Sequence, residues 1–228
     1  MFKRSFVWLA LAFHTGYFVM RYFNQHPKMN SLAHCKGWYF SGSAPHRDAT
    51  GALQFITFRL ADSLPQSVLR DLSVAAKLLP EQERGLYKRR NLEKWLDAGL
   101  GSCALAHPEM AKVMRDTLLY QDGQRYRLIA WCIMPNHVHA LIDPAYSLPR
   151  IIQTWKSFTT RWMLLHNNSL SLGVPGRTLW MRDYWDRYVR DEQHLHRVLS
   201  YIHDNPVKAG LCATPTEWRW SSAYNSPP

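Results

Sequence analysis

The sequence predicts an α+β domain in which helices pack on one face of a small antiparallel sheet. Strand-like and helical segments alternate in the order β-α-(α)-α-β-β-α-β-α, and two of the strands are separated only by a short turn. Strands joined in this way pair antiparallel, and such a sheet buries its apolar side against helices. With 228 residues, of which 46% are hydrophobic, the chain is long enough to form one well-packed core.

The first half of this domain is predicted to contain one strand followed by three helices. Residues 53–59 are rich in β-branched and aromatic side chains, which favours a strand, and a helix start follows at Ser63-Leu64-Pro65. The charge-rich segment 80–101 has Leu86, Arg90 and Lys94 at helical spacing, which predicts a second helix at the periphery. A third helix begins at Pro108.

The second half is predicted to form a hairpin, a long helix, a short strand and a final helix. Residues 126–134 and 137–142 are extended runs separated only by Pro135-Asn136, which indicates an antiparallel hairpin. The segment "RDYWDRYVRD" resembles a short strand, and the helix after it is expected to begin at Asp191 and to end at Pro206. The long helix covers about residues 149–166, and its expected core-facing positions are Ile151, Trp155, Phe158 and Trp162.

The beginning of the chain differs in composition from the rest. The first 47 residues contain six Lys or Arg and no Asp or Glu. An apolar run near the start resembles a signal peptide, but no small-residue cleavage site follows, and the run is shorter than the roughly 20 apolar residues that cross a bilayer. We therefore expect a basic N-terminal extension over residues 1–45, with a true start at Met20 or Met29 as the alternative, and a single domain over residues 46–228.

Charge and cysteine content limit the class of protein. The formal net charge of +11 favours a polyanionic partner, and nucleic acid before a membrane surface. The four cysteines lie far apart and form no CxxC pair, which argues against a disulfide framework and against a cysteine-ligated zinc site. Reduced thiols in a cytoplasm fit this pattern best.

The stretch "MPNHVHALI" places two histidines one residue apart in a predicted strand. Successive strand residues point to opposite faces, so His137 and His139 share one face while Val138 points to the other. Two imidazoles on one face can bind one cation and leave a position open for substrate. Two polar strand positions facing water are the alternative interpretation of the pattern.

The final predicted helix carries a tyrosine at the rim of its apolar face. Tyr201 and Asn205 are four residues apart and therefore lie on the same helical face. An amphipathic helix whose rim tyrosine packs its ring and leaves its hydroxyl in water is the alternative interpretation. Tyr184 and Tyr188 are rival nucleophiles, and His194 is a rival metal ligand.

Several motifs in a fixed order resemble a known family. After "MPNHVHALI" come "KSFTTRW", "LWMRDYWDRYVRDEQHL", "YIHDNPVKAGL" and "EWRWSSA". Together they resemble the REP-associated tyrosine transposases, a branch of the single-tyrosine HUH transposases, over roughly residues 44–224. The resemblance implies a ferredoxin-like or RRM-like HUH endonuclease fold. It also implies that His137 and His139 bind a divalent metal, that Tyr201 is the nucleophile, and that Asn205, where other members have a glutamine, is the third ligand.

The implied chemistry is transesterification of DNA. A phenol with a pKa near 10 is a weak nucleophile at neutral pH, so it needs a cation that polarises the scissile phosphate. Mg²⁺ prefers oxygen ligands while two imidazoles favour Mn²⁺, so the expected cofactor is Mg²⁺ or Mn²⁺. Attack would leave a 5′-phosphotyrosine and a free 3′-hydroxyl, and the reverse reaction would rejoin strands without ATP.

The resemblance further implies the substrate, the assembly and the location. The expected substrate is single-stranded or hairpin DNA from palindromic repeats, bound by a monomer or homodimer in the nucleoid-containing cytoplasm of a bacterium. Two alternatives remain open: a non-catalytic DNA-binding protein on the same fold, and a metal-dependent phosphodiesterase in which water attacks. The basic residues expected to contact DNA phosphates include Arg150, Lys156, Arg161, Arg187, Arg190 and Arg197.

Overall fold

A computed structural model of the chain describes residues 37–41, 44–48 and 52–224. The strands are β1 (Gly37–Ser41), β2 (Ala44–Asp48), β3 (Gln54–Arg59), β4 (Tyr126–Ile133), β5 (His137–Pro144) and β6 (Trp185–Tyr188). The helices are α1 (Gln66–Lys77), α2 (Glu81–Asp97), α3 (Pro108–Tyr120), α4 (Leu148–His166) and α5 (Glu192–Lys208), with short 3-10 turns at Ala104–Ala106 and Pro215–Glu217. These elements confirm the predicted α+β class.

The central sheet has four strands in the order β4-β5-β3-β6, and every neighbouring pair is antiparallel. The predicted hairpin of β4 and β5 is present, with Pro135 and Asn136 in its turn. Strand β3, from the first half of the chain, lies beside β5 and pairs Thr57 with His139 and Arg59 with His137. A separate two-stranded sheet is formed by β1 and β2.

Helices cover both faces of the central sheet, so the expectation that they lie on one face is wrong. Val138, Ala140 and Ile142 of β5 belong to a core that includes residues of α3 and α4. Leu141, on the alternate face of the same strand, belongs to a second core with residues of α5. Strand β5 is buried on both faces, unlike a half-exposed strand, and α5 covers the face that carries the two histidines.

The core-facing stripe of α4 is rotated relative to its prediction. Ile151 and Trp155 are buried as expected, but Phe158 is 49% exposed and Trp162 is only partly buried. Thr159 and Met163 take the core positions instead, because the Thr159 hydroxyl accepts a hydrogen bond from the indole of Trp180 and is satisfied inside the core.

Helix α5 continues past the proline that was expected to end it. The side chain of Asp191 caps the helix by accepting a hydrogen bond from the His194 backbone N–H at 2.7 Å, as predicted. Pro206 lies inside the last turn, and the helix extends to Lys208. A proline so close to the end removes one hydrogen bond, while Ala209 N–H still donates to the Asn205 carbonyl at 3.0 Å.

Most of the predicted N-terminal extension, residues 1–45, falls outside the described residues. Strands β1 and β2 lie at the predicted boundary between the extension and the domain, which stays a prediction. None of the helices in the described ranges is long and apolar enough to span a membrane.

Candidate active site

The two histidines of β5 lie buried on the sheet face that α5 covers. Each has about 1% of its surface exposed. Their rings are 4.7 Å apart between centroids and meet edge to face, with Nε2 of His137 at 3.0 Å from Nε2 of His139. The two histidines therefore share one strand face, as the sequence predicted, and their Nε2 atoms lie next to each other.

Asn136 fixes which nitrogen of His137 carries its proton. The Asn136 side-chain amide donates to the carbonyls of Leu96 and Leu100 at 3.1 and 3.2 Å, so its Oδ1 must be the atom that faces His137. That Oδ1 lies 2.8 Å from Nδ1 of His137, and an amide oxygen can only accept. The proton of neutral His137 is therefore on Nδ1, and its Nε2 presents a lone pair.

Thr57, on the neighbouring strand, orients the second ring through a hydrogen bond in which its hydroxyl can donate or accept. Its hydroxyl lies 2.8 Å from Nδ1 of His139, which leaves Nε2 of His139 facing Nε2 of His137. Two nitrogens that bind one cation at about 2.1 Å each and at a right angle lie about 3.0 Å apart. The observed separation therefore fits two ligands of a single cation.

Both imidazoles are neutral at physiological pH. Burial lowers the pKa of His137 to about 3, and the nearby side chain of Asn205 opposes this effect only in part. Burial also lowers the pKa of His139 well below its ordinary value, with His137 as a second cause. Neutral imidazole is the form that binds metals.

Tyr201 of α5 lies against the histidine pair. Its ring meets His139 edge to face at 5.3 Å between centroids. Phe55 of β3 stacks on His139 at 5.7 Å and contacts Tyr201 edge to face at 5.7 Å, so it holds both rings at once. The Tyr201 side chain is partly buried, which leaves it supported by the sheet and accessible to substrate.

Asn205 lies one turn after Tyr201 and points into the same site. It is 2% exposed and its side-chain amide interacts with His137, yet its Oδ1 has no hydrogen bond of good geometry among the described residues. A buried oxygen without a partner costs roughly 1–3 kcal/mol and calls for an unseen partner such as an ion. The donor set of two imidazoles and one amide oxygen therefore fits a divalent cation.

This donor set differs from a carboxylate-rich metal site. Among residues 37–41, 44–48 and 52–224, no group of three or more His, Cys, Asp or Glu side chains could hold a metal ion. His194, the rival ligand, lies at the first turn of α5, where its Nδ1 accepts a hydrogen bond from the Arg190 backbone N–H at 3.3 Å. That nitrogen is thus committed outside the histidine pair.

The rival tyrosines lie on the other side of the sheet. Strand β6 pairs Trp185 with Thr57, and Thr57 contacts His139, so residues 184, 186 and 188 alternate to the opposite face. Tyr184 is 8% exposed and belongs to the core that α3 and α4 cover. Tyr201 is therefore the one of these three tyrosines that the fold brings to the histidine pair.

The basic residues expected to contact DNA separate into three groups. Arg187, Arg190 and Arg197 converge on His194, where all three lower its pKa after the larger effect of burial. Their side chains lie near the start of α5, and Arg197 is one helical turn before Tyr201. Arg150 and Arg161 are exposed on α4, which covers the face opposite to the histidines.

Lys156 was expected to contact DNA, but its ammonium is hydrogen-bonded to the protein backbone. Its ammonium donates to the carbonyls of Met181, Arg182 and Asp183 at 2.9, 3.1 and 3.2 Å. These three bonds use all three ammonium hydrogens, so none remains for a phosphate. Lys156 therefore fastens the segment before β6 to α4, and its contact with DNA stays a prediction that these three bonds argue against.

Three side chains of the site were missed by the sequence reasoning. Asn136 could have been found from the sequence, because it directly precedes His137 in the turn between β4 and β5. Phe55 and Thr57 could not, because the contact of Thr57 with His139 joins residues 82 positions apart in the chain.

Part of the chain is similar in sequence to known transposases. Residues 107–205 match a family model described as "Transposase IS200 like". A "Putative REP-associated tyrosine transposase" of Haemophilus influenzae is 30% identical over 108 residues, which cover 43% of this chain and 60% of that protein. A "REP-associated tyrosine transposase" of Escherichia coli K12 is 24% identical over 99 residues, which cover 43% of this chain and 55% of that protein.

The chain thus matches 55 to 60% of the length of these curated relatives. One solved structure, of a REP-associated tyrosine transposase bound to a REP hairpin, has a TM-score of 0.49 and 14% identity over 80% of this chain and 82% of that one. The resemblance that the motifs predicted is confirmed by the family match and the curated relatives.

Proposed function

We propose that this chain, which carries an IS200-like transposase region over residues 107–205, is a metal-dependent DNA strand transferase that uses Tyr201 as its nucleophile. The observation that carries the proposal is the meeting of three groups at one point. The Nε2 atoms of His137 and His139 converge at 3.0 Å, the Tyr201 ring packs on His139, and the buried side chain of Asn205 interacts with His137.

Each protein group has a defined task in this reaction. His137, His139 and Asn205 hold a divalent cation, Mg²⁺ or Mn²⁺, which supplies Lewis-acid polarisation of the scissile phosphate when bound. Asn136 and Thr57 orient the two rings through their Nδ1 atoms, as supporting partners of metal-binding histidines commonly do. Phe55 keeps the Tyr201 ring beside His139.

The Tyr201 hydroxyl attacks phosphorus and gives up its proton to water. The bond from phosphorus to the 3′ oxygen breaks, and that oxygen takes up a proton to become a free 3′-hydroxyl. The DNA is left joined to the protein through a 5′-phosphotyrosine, which keeps the energy of the phosphodiester bond. A 3′-hydroxyl of another strand can reverse the reaction and rejoin the DNA without ATP.

The substrate class follows from the names of the relatives and from charge. The curated relatives are named for REP elements, and we extend this to single-stranded or hairpin DNA from palindromic repeats as the substrate of this chain. The net charge of +11 and the patch of Arg187, Arg190 and Arg197 next to α5 support binding of a polyanion. Because such a substrate would lie in the bacterial chromosome, we extend the proposal to a location in the bacterial cytoplasm.

A denaturing-gel assay tests this function. Purified protein is incubated with Mn²⁺ and labelled single-stranded oligonucleotides whose palindromic repeats fold into hairpins. The wild-type protein should give a slow-migrating protein–DNA band, which Tyr201→Phe abolishes. Tyr184→Phe and Tyr188→Phe are matched controls that should keep the band, because both residues lie on the opposite face of the sheet.

The other outcomes identify the alternatives. Cleavage without a covalent band, unchanged by Tyr201→Phe, would reject the proposal in favour of a phosphodiesterase that uses water. Binding of the oligonucleotides without cleavage, in both Mn²⁺ and Mg²⁺, would reject it in favour of a non-catalytic DNA-binding protein.

A further inference from the structure

We propose that Lys208 binds the DNA phosphate that is presented to Tyr201, an inference that rests on the proposed function of Tyr201. Lys208 lies in the last turn of α5, beyond the proline that was expected to end this helix. Its ammonium is 5.3 Å from the centre of the Tyr201 ring.

The helical spacing places Lys208 on the catalytic face. Tyr201, Asn205 and Lys208 are at positions i, i+4 and i+7 of α5, which lie one above another on a single face. Asn205 points into the histidine pair, so the side chain one turn later borders the same site. Had α5 ended at Pro206, Lys208 would not share this face.

The ammonium of Lys208 is available to a ligand. The side chain is exposed, and among the described residues its ammonium forms neither a hydrogen bond nor an ion pair. Lys156 is the contrasting case, because three backbone carbonyls occupy its ammonium. Lysine has a flexible stem and three rotatable donors, so Lys208 can turn from the face of the Tyr201 ring to a phosphate oxygen in front of it.

Asp97 is an acidic residue near Lys208 that attracts its ammonium without forming an ion pair with it. It ends α2, and its carboxylate interacts electrostatically with Lys208. The adjoining residue Leu96 accepts a hydrogen bond from Asn136, which in turn bonds to His137. The end of α2 is thereby attached to the metal-binding strand, and the attraction between Asp97 and Lys208 acts next to the site.

Lys208 completes a basic path along the catalytic side of α5. Arg187, Arg190 and Arg197 converge near the beginning of this helix, and Lys208 lies at its end, with Tyr201 between them. A strand that follows these charges passes over the tyrosine. The ammonium would stabilise the charge that develops on a non-bridging phosphate oxygen during attack.

The first arm of the test measures binding without catalysis. Wild type and Lys208→Gln are compared in EDTA for binding to a fluorescent single-stranded oligothymidine of about 20 nucleotides, which is longer than a typical single-domain site. Loss of one phosphate contact should lower the slope of log Kd against log salt by about 0.7. Lys208→Arg should keep the wild-type slope. Lys77→Gln is the matched control, because Lys77 is an exposed lysine in the last turn of α1.

The second arm tests whether Lys208 contacts the phosphate that Tyr201 attacks. The rate of covalent adduct formation on the repeat oligonucleotides, measured at saturating DNA and Mn²⁺, should fall roughly 10- to 100-fold in Lys208→Gln, because a group that stabilises transition-state charge is lost. Lys208→Arg should recover most of this rate. Loss of a cation at the end of α5 can lower the stability of the helix, so the thermal unfolding of each variant is measured as a control.

The outcomes separate this inference from the proposed function. An unchanged salt slope in Lys208→Gln overturns the inference, whatever the wild-type protein does to DNA. A lower slope with an unchanged adduct rate also overturns it, because the contact is then with a phosphate away from Tyr201. If wild-type protein forms no adduct at all, the proposed function fails, and the salt slope alone still decides whether Lys208 contacts DNA.

Discussion

The Nε2 atoms of His137 and His139 lie 3.0 Å apart on a buried sheet face. Asn136 holds the proton of His137 on Nδ1, so a lone pair of Nε2 points at the second ring. Burial lowers the pKa of His137 to about 3, so its ring is neutral, and its Nε2 can accept a hydrogen bond from His139 when His139 carries its proton on Nε2. A bound cation would take the place of this hydrogen bond between the rings and would also satisfy the Oδ1 of Asn205.

Replacing one of these rings should abolish tight metal binding. Loss of a residue that supports a metal ligand weakens metal binding roughly 10- to 100-fold. His137→Ala removes a ligand itself, so we expect it to weaken Mn²⁺ binding by more than this. Titration of the protein with Mn²⁺, followed by electron paramagnetic resonance of the free ion, measures the affinity. His196→Ala is the control, since His196 is exposed on α5 beside Glu192. Equal affinity in wild type and His137→Ala would show that the metal, if bound, lies elsewhere.

Asn136 should affect metal affinity without being a ligand. Asn136→Ala removes the acceptor for Nδ1 of His137 and the donor for the carbonyls of Leu96 and Leu100. We expect Mn²⁺ affinity to fall about 10- to 100-fold and the free energy of unfolding to fall by about 1–3 kcal/mol. Isothermal titration calorimetry and urea unfolding measure the two effects. Wild-type Mn²⁺ affinity in a folded Asn136→Ala protein would contradict this role.

The parts of the site that were predictable from sequence are those set by local periodicity. The period of two on β5 placed His137 and His139 on one face, and the spacing of four on α5 placed Asn205 beside Tyr201. Neither pattern indicates which sheet face a helix will cover. The covering of the histidine face by α5 depends on tertiary packing of Leu141 and its neighbours.

The parts that were missed depend on contacts between distant segments. Phe55 enters the site only because β3 pairs with β5, a neighbour far along the chain. The position of Lys156 depends on carbonyl groups 25 to 27 residues later, to which any lysine could donate. Phe158 was assigned to the core because helical period alone cannot choose between adjacent stripes when both contain apolar residues.

Lys156 should contribute to stability and not to DNA binding. Lys156→Met leaves the carbonyls of Met181, Arg182 and Asp183 without their donor, so the free energy of unfolding should fall by about 1–3 kcal/mol. The salt slope of oligothymidine binding should not change. Lys112→Met, which breaks only an exposed pair with Asp116, should cost less than about 1 kcal/mol. A lower salt slope for Lys156→Met would restore the original prediction of a phosphate contact.

Tyr126 should make the protein less stable at high pH. Its hydroxyl donates to the Leu118 carbonyl at 2.6 Å and accepts from the Trp155 indole at 2.9 Å, which joins β4 to α3 and α4. Burial raises the pKa of Tyr126 to about 12 from the ordinary value of 10. Between these two pH values the unfolded chain loses the phenol proton while the folded chain keeps it, so the free energy of unfolding falls as pH rises.

The stabilisation from this shift is fully present below pH 10 and is lost as pH rises through 12. Two pKa units correspond to about 2–3 kcal/mol. The difference in unfolding free energy between wild type and Tyr126→Phe, measured by urea unfolding from pH 9 to 12, should therefore shrink steadily above pH 10, because the variant has no phenol proton to lose at this position. A difference that stays constant across this range would mean that the Tyr126 hydroxyl ionises equally in the folded and unfolded chains.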